Sequence, residues 1–222
     1  MNLGSSFLQR LPGRDVPSVP IDVEPIGAAH IACWERLVRP SIAHSRRIDR
    51  DWCWATIVDA LVTDSRGAFE RTGWAVCAGP QANRMPVALV VCFEGFPYAL
   101  DTGKQSVLVA FLAAAPLSCL ERELPAEHVP RRAGRAALDV ALTRSLARGL
   151  EGRTCASALA GAPSNLTRWY LRQGMSPVPA ELDPRSVSPL FQRTTQLFHH
   201  DAESAEKAIK DLRHLRGPRL LA

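Results

Sequence analysis

Residues 85–93, MPVALVVCF, carry no charge and are rich in β-branched and large apolar side chains. A run this short and this apolar reads as a strand buried on both faces, because a strand with one wet face would alternate apolar and polar. Two more strand candidates flank it, residues 72–78 and residues 106–115 (SVLVAFLAAA). Gly79-Pro80 supplies a turn on one side. Gly95, Pro97 and Asp101-Thr102-Gly103 mark a longer connection on the other. Consecutive apolar strands joined by such turns predict an antiparallel meander.

Around this centre the spacing predicts alternating elements. Residues 1–20 are rich in Gly, Ser and Pro and read as a loose arm. Residues 21–26 alternate and predict a short first strand. Residues 28–66 have helical spacing, and Pro40 is expected to separate two helices. Trp34, Trp52 and Trp54 are expected in the core. Residues 116–130, with acids Glu121, Glu123 and Glu127, read as a polar loop. A helix then begins near Arg132 and closes at Gly149. Residues 154–159 predict a strand, and residues 162–173, opening on Ala162-Pro163-Ser164, a helix capped by Gly174. Residues 187–198 predict a last strand, and residues 202–215 an amphipathic closing helix. The fold class is therefore α+β, with a mixed and mostly antiparallel central sheet flanked by helices. The organisation is an arm (1–20), one domain (21–198) and a closing helix with its tail (199–222).

Composition narrows the function. With 46% hydrophobic and 22% charged residues the chain is globular, not disordered. The net charge of +5 suits an anionic ligand. Arg131, Arg132, Arg135, Arg144, Arg148 and Arg153 are concentrated in one stretch, which favours a local anion over an extended nucleic-acid surface. A solvated helix face is the other reading for the last three. There is no helix-turn-helix pattern, zinc spacing or aromatic stacking strand, so nucleic acid is disfavoured as a partner. The six Cys are scattered without a C-x-x-C pair and read as reduced thiols of a cytoplasmic protein. The six His have no metal-ligand spacing, so no metal is expected. His199 and His200 read as a strand end or surface pair. The start lacks a signal peptide's apolar core, and no apolar run reaches about 20 residues, so no membrane partner is expected.

The segment Arg131-Arg132-Ala133-Gly134-Arg135-Ala136 lies between an apolar strand and an amphipathic helix. Free amides in a helix's first turn converge on an anion, and the helix dipole favours negative charge there. Gly134 and the small Ala136 permit close approach, and the guanidiniums can add charge-assisted hydrogen bonds. Here the chain resembles the GNAT family of N-acetyltransferases, whose pyrophosphate loop reads Q/R-x-x-G-x-G/A. A second resemblance is Trp169-Tyr170-Leu171-Arg172-Gln173-Gly174-Met175, similar to the family's Tyr-x-x-x-Gly-Phe with Met175 for the Phe. The ending FLAAAP of residues 111–116 looks like that of a bacterial subgroup. Arg132 stands where the family often has Gly, and Asn165 lies five residues before Tyr170 where the family often has Asn seven before.

The resemblance implies an acyl-CoA co-substrate, with acetyl-CoA the family's usual one, lying between two splayed strands. Backbone groups of Leu112, Ala113 and Ala115 would pair with the pantetheine arm as an added strand. Val129, Arg131, Arg132, Ala133, Gly134, Arg135 and Ala136 would hold the pyrophosphate, and Asn165 would lie near the arm. Tyr170 would protonate the leaving thiolate. No acid lies within residues 106–115, so Glu94 at the preceding strand's end is the nominated base, acting through water. The implied reaction is transfer of an acetyl or other acyl group to a primary amine of a small molecule or protein. The alternative is a catalytically silent acyl-CoA-binding or interaction module. The amine is not readable, and a homodimer is a further expectation.

Overall fold

A computed structural model describes residues 7–9, 19–63, 69–80, 83–159, 164–182 and 195–212. The 85–93 run forms the middle of β4 (Met85–Tyr98) and is buried throughout. Its neighbours are β3 (Glu70–Ala78) and β5 (Asp101–Ala114), both antiparallel to it. With β1 (Phe7–Gln9), β2 (Val19–Pro25), β6 (Thr154–Leu159), β7 (Ser176–Pro177) and β8 (Thr195–His200) they build an eight-stranded sheet. The order is β1-β2-β3-β4-β5-β6-β8-β7. Every neighbouring pair is antiparallel except β5 and β6. The mixed, mostly antiparallel sheet expected from the sequence is therefore present.

Several elements differ from their expected form. The longer connection after Phe93 is instead strand. β4 continues through Gly95 and Pro97 and turns at Ala99-Leu100, with Tyr98 opposite Asp101. The ladder absorbs the turn formers as irregularities, and Gly95 takes φ +80 at one of them, a conformation that favours glycine. In the amino-terminal arm, Phe7–Gln9 pairs with the start of β2. β8 runs through His200, past the expected end, while residues 183–194 lie outside the described residues.

Pro40 does not separate two helices. α1 (Ala28–Cys33) passes through a π-helical stretch (Trp34–Val38) into α2 (Arg39–Ile42). Proline lacks an amide and crowds the carbonyl four residues back. The wider turn, with the Arg39 amide donating to the Trp34 carbonyl, takes up that crowding. Trp34, Val38 and Ile42 stay buried along one face. Trp34 meets Trp54, the first residue of α3 (Trp54–Thr63), edge to face at 6.1 Å.

The expected loop of residues 116–130 is helix over residues 117–123 and irregular chain with one tight turn over residues 124–130. Pro116 caps α4 (Leu117–Glu123), which turns Cys119 and Leu120 inward and leaves Glu121 exposed. α5 (Ala133–Ala147) packs across β5, β4 and β3. α6 (Ser164–Arg172) precedes Gly174, whose φ of +84 reverses the chain toward β7. α7 (Ala202–Leu212) closes the chain against α5. No helix among the described residues is long and apolar enough to cross a membrane.

Candidate functional site

β5 and β6 pair over Val107, Leu108 and Val109 only. Beyond that point β5 stays with β4 and β6 stays with β8, so the two strands part as a fork. The Ala115 amide donates to the Val87 carbonyl at 2.9 Å, on the β4 side. Alternation then turns the backbone groups of Leu112 and Ala114 toward the gap. Ala113 and Ala115 were expected to offer such groups and do not, because theirs face β4.

The fork opens into a cleft of about 1180 Å³. Its floor includes residues 109–112 of β5, and one wall is Pro130, Arg131, Arg132, Ala133 and Gly134. The amides of Ala133 and Gly134, first in α5, have no acceptor within the helix. The Arg135 and Ala136 amides both donate to the Arg132 carbonyl, at 2.8 and 3.3 Å. Arg132 itself caps the helix at φ 64, ψ 32, a left-handed conformation unusual for a side chain with Cβ. A Cβ on Gly134 would lie 3.5 Å from Trp169 and 3.6 Å from the Ala114 methyl, so glycine leaves a slot there. Of the residues nominated for the pyrophosphate, Arg131, Arg132, Ala133 and Gly134 line the cleft, with Pro130 beside them. Val129 and Ala136 instead pack on the core, and Arg135 does not reach the cleft.

α6 supplies the far wall through Asn165, Leu166, Trp169 and Tyr170. Asn165 is exposed and Tyr170 buried. The Tyr170 ring stacks on Phe198 of β8, with centroids 5.0 Å apart and planes at 22°. Burial pushes the Tyr170 phenol above its ordinary value of 10.0. It therefore keeps its proton at neutral pH. His199 and His200 are buried, not at the surface, and burial holds both below the ordinary imidazole value of 6.5.

The facing wall is the connection between α2 and α3, including Arg46, Arg47, Asp49 and Trp52. Arg47 reaches Asp49 through Nε (2.8 Å) and Nη2 (2.5 Å), and Nη2 also donates to the Ala114 carbonyl at 2.7 Å. Trp52 meets Phe111 edge to face at 5.2 Å, so it forms cleft wall as well as core. Sequence reading missed Arg47 and Asp49. The charge-dense RRIDRD of residues 46–51 was their only signal, and their partner Ala114 lies 67 residues from Arg47.

Glu94 does not line the cleft. Its oxygens accept from Arg144 Nε (2.7 Å) and Nη2 (2.9 Å), from Arg148 Nε (2.6 Å) and from Thr72 Oγ1 (3.0 Å). With its lone pairs engaged by two guanidiniums away from the cleft, it is a strut between β4 and α5. The base nomination fails on that geometry.

Glu24, His30 and Cys77 form the group whose donor atoms could surround a metal ion among the described residues. The Gly27 amide donates to His30 Nδ1 at 3.0 Å, which leaves the imidazole proton on Nε2, 3.6 Å from Glu24. A metal would need a free lone pair on Nε2, so His30 in this tautomer is not a metal ligand.

No family model matches the chain, and no curated protein matches it. Solved structures do. One is FdhC in its apo form, described as a nucleotide-linked sugar GNAT, with 11% identity over 98% of this chain and 99% of that one, TM-score 0.55. Another is a GNAT-family acetyltransferase from Staphylococcus aureus Mu50, with 10% identity over 82% of this chain and 99% of that one, TM-score 0.52.

The chain has the GNAT fold.

In GNAT terms the long β4–β5 hairpin and the parallel β5–β6 pair form the sheet's centre, and the cleft opens where that pair ends. At these identities the likeness concerns the fold. What the cleft does is argued from its own residues.

Proposed function

We propose that the chain is an N-acyltransferase that moves an acetyl or related acyl group from acyl-CoA to a primary amine. The observation that carries this reading is the convergence of three features on one cleft. They are an open strand edge at Leu112 and Ala114, free helix amides beside Arg131 and Arg132, and the protonated phenol of Tyr170. Each suits one part of acyl-CoA: the amides of its arm, its pyrophosphate and its sulfur.

Leu112 offers a backbone donor and acceptor to the arm, as an added strand does. The Ala114 amide offers a further donor, while its carbonyl is already held by Arg47. Ala133 and Gly134 amides, with Arg131 and Arg132, take the pyrophosphate at the positive end of α5. Asn165 lies beside the arm. The neutral amine attacks the thioester carbonyl carbon, the C–S bond breaks, and the sulfur takes the Tyr170 proton. The proton released by the amine returns through water to the Tyr170 phenolate, since Asp49, the carboxylate among the described lining residues, is held by Arg47. Holding both reactants in one cleft supplies much of the acceleration.

The test is a screen of amines with labelled acetyl-CoA. Transfer to an amine, reduced in Tyr170→Phe while CoA affinity holds, supports the reading. CoA binding without transfer to any amine would leave the silent binding module as the better reading.

A further inference from the structure

β8 holds α6 at two points on one side of the strand. Phe198 and His200 are two residues apart, so they project to the same face. Phe198 stacks on the Tyr170 ring. His200 Nε2 lies 3.0 Å from the carbonyl oxygen of Gln173, the residue that follows α6. The Gln173 amide in turn donates to the Tyr170 carbonyl at 2.9 Å, and the Met175 amide reaches the same oxygen at 3.2 Å. The terminal turn that carries Tyr170 is thereby closed on itself and fastened to His200.

The other imidazole nitrogen lies 2.9 Å from Thr154 Oγ1. Thr154 pairs with Val107 on one side and with His200 on the other. It stands at the closed end of the fork. A carbonyl oxygen only accepts, so Nε2 carries the imidazole proton and Nδ1 accepts from the threonine hydroxyl. His200 is wholly buried with both nitrogens used. A leucine would fill much of that volume but could join neither partner.

We propose that His200 is the positioning residue for Tyr170. Its Nε2–H fixes the end of α6 to the base of the fork and so aims the phenol into the cleft. This rests on the reading of Tyr170 as the proton donor to the leaving sulfur.

The test compares His200→Gln, His200→Asn and His200→Leu. The glutamine amide falls near Nε2 and can still reach Gln173. The asparagine amide falls near Nδ1 and can reach only Thr154. Tyr98 and Tyr170 are the two tyrosines of the chain, so ring-labelled tyrosine gives two sets of NMR signals, assigned with Tyr98→Phe. In His200→Asn and His200→Leu, kcat is expected to fall tenfold or more. CoA affinity is expected to stay within twofold, and the Tyr170 ring signals to shift. His200→Gln is expected to keep kcat within threefold. Unmoved Tyr170 signals in folded His200→Asn, or kcat and CoA affinity falling together, would overturn the assignment. If the wild type acylates no amine, the acyl-transfer reading fails, and the ring signals still decide whether His200 places Tyr170.

Discussion

Arg144 grips Glu94 from both ends of the carboxylate, with Nε 2.7 Å from Oε1 and Nη2 2.9 Å from Oε2. Arg144 also lies over the Trp74 ring at 5.4 Å, and Arg148 joins Glu94 from the next turn of α5. The pair fastens the helix behind the cleft to the strands beneath it. Glu94→Gln is therefore expected to cost stability, not chemistry. Removing one partner of a buried pair costs about 3–5 kcal/mol. The half-exposed Arg148 reduces the penalty, so a loss of roughly 2–3 kcal/mol in a urea titration is expected. The kcat of the folded variant is expected to stay within about twofold. A fall of about a hundredfold would restore Glu94 as the base.

Tyr170→Phe keeps the ring that stacks on Phe198 and removes the proton. It is expected to lower kcat by about a hundredfold. Isothermal titration is expected to show CoA affinity within a few-fold of wild type. Unchanged turnover would remove Tyr170 from the chemistry.

Arg132 sits at φ 64 and borders the cleft. Arg132→Gly relieves roughly 1 kcal/mol of left-handed strain. A freer unfolded chain gives back roughly 0.5–1 kcal/mol. Thermal stability is thus expected to move little, while CoA affinity falls and loses part of its salt dependence. A large loss of stability with unchanged affinity would make Arg132 a structural cap only.

His199 and His200 are both held below 6.5 by burial, so the unfolded chain binds more protons than the folded one as pH falls through that value. Their contribution to stability is complete above about pH 6.5 and shrinks below it. Asp201 is held below 3.8, chiefly by its Ser204 hydrogen bonds, so its own contribution is lost only at lower pH. The melting temperature is therefore expected to fall between pH 7 and pH 5, and to fall less in His200→Gln. A flat profile across that window would contradict the buried neutral pair.

The sheet's centre was legible because residues 85–93 can be little else than a doubly covered strand. Gly95 and Pro97 misled because turn formers also serve as irregularities inside a long hairpin, and only the partner strand decides which. Pro40 misled for a similar reason, since a π turn can carry a helix past a proline. The cradle was legible as a local pattern, but its extent was not. Whether Val129 or Gly134 faces the cleft depends on how α5 lies on β5. The parity that turns Ala114 to the gap and Ala113 to β4 needed the observed register. Arg47 went unread, and His200 was read as a strand end or surface residue, because their partners, Ala114 and Gln173, are distant in the chain.

On the proposed reading the fork between β5 and β6 binds CoA on residues 130–134. Calorimetric titration of CoA into the wild type, Gly134→Ala and Gly134→Leu tests it most directly. The wild type is expected to bind one CoA with Kd on the order of micromolar. Gly134→Ala is expected to keep the fold, since its methyl would meet Trp169 at an ordinary 3.5 Å, and to weaken binding. A folded Gly134→Leu, filling the slot beside Trp169 and Ala114, is expected to abolish it. No binding by the wild type, or equal binding by all three proteins, would contradict the account.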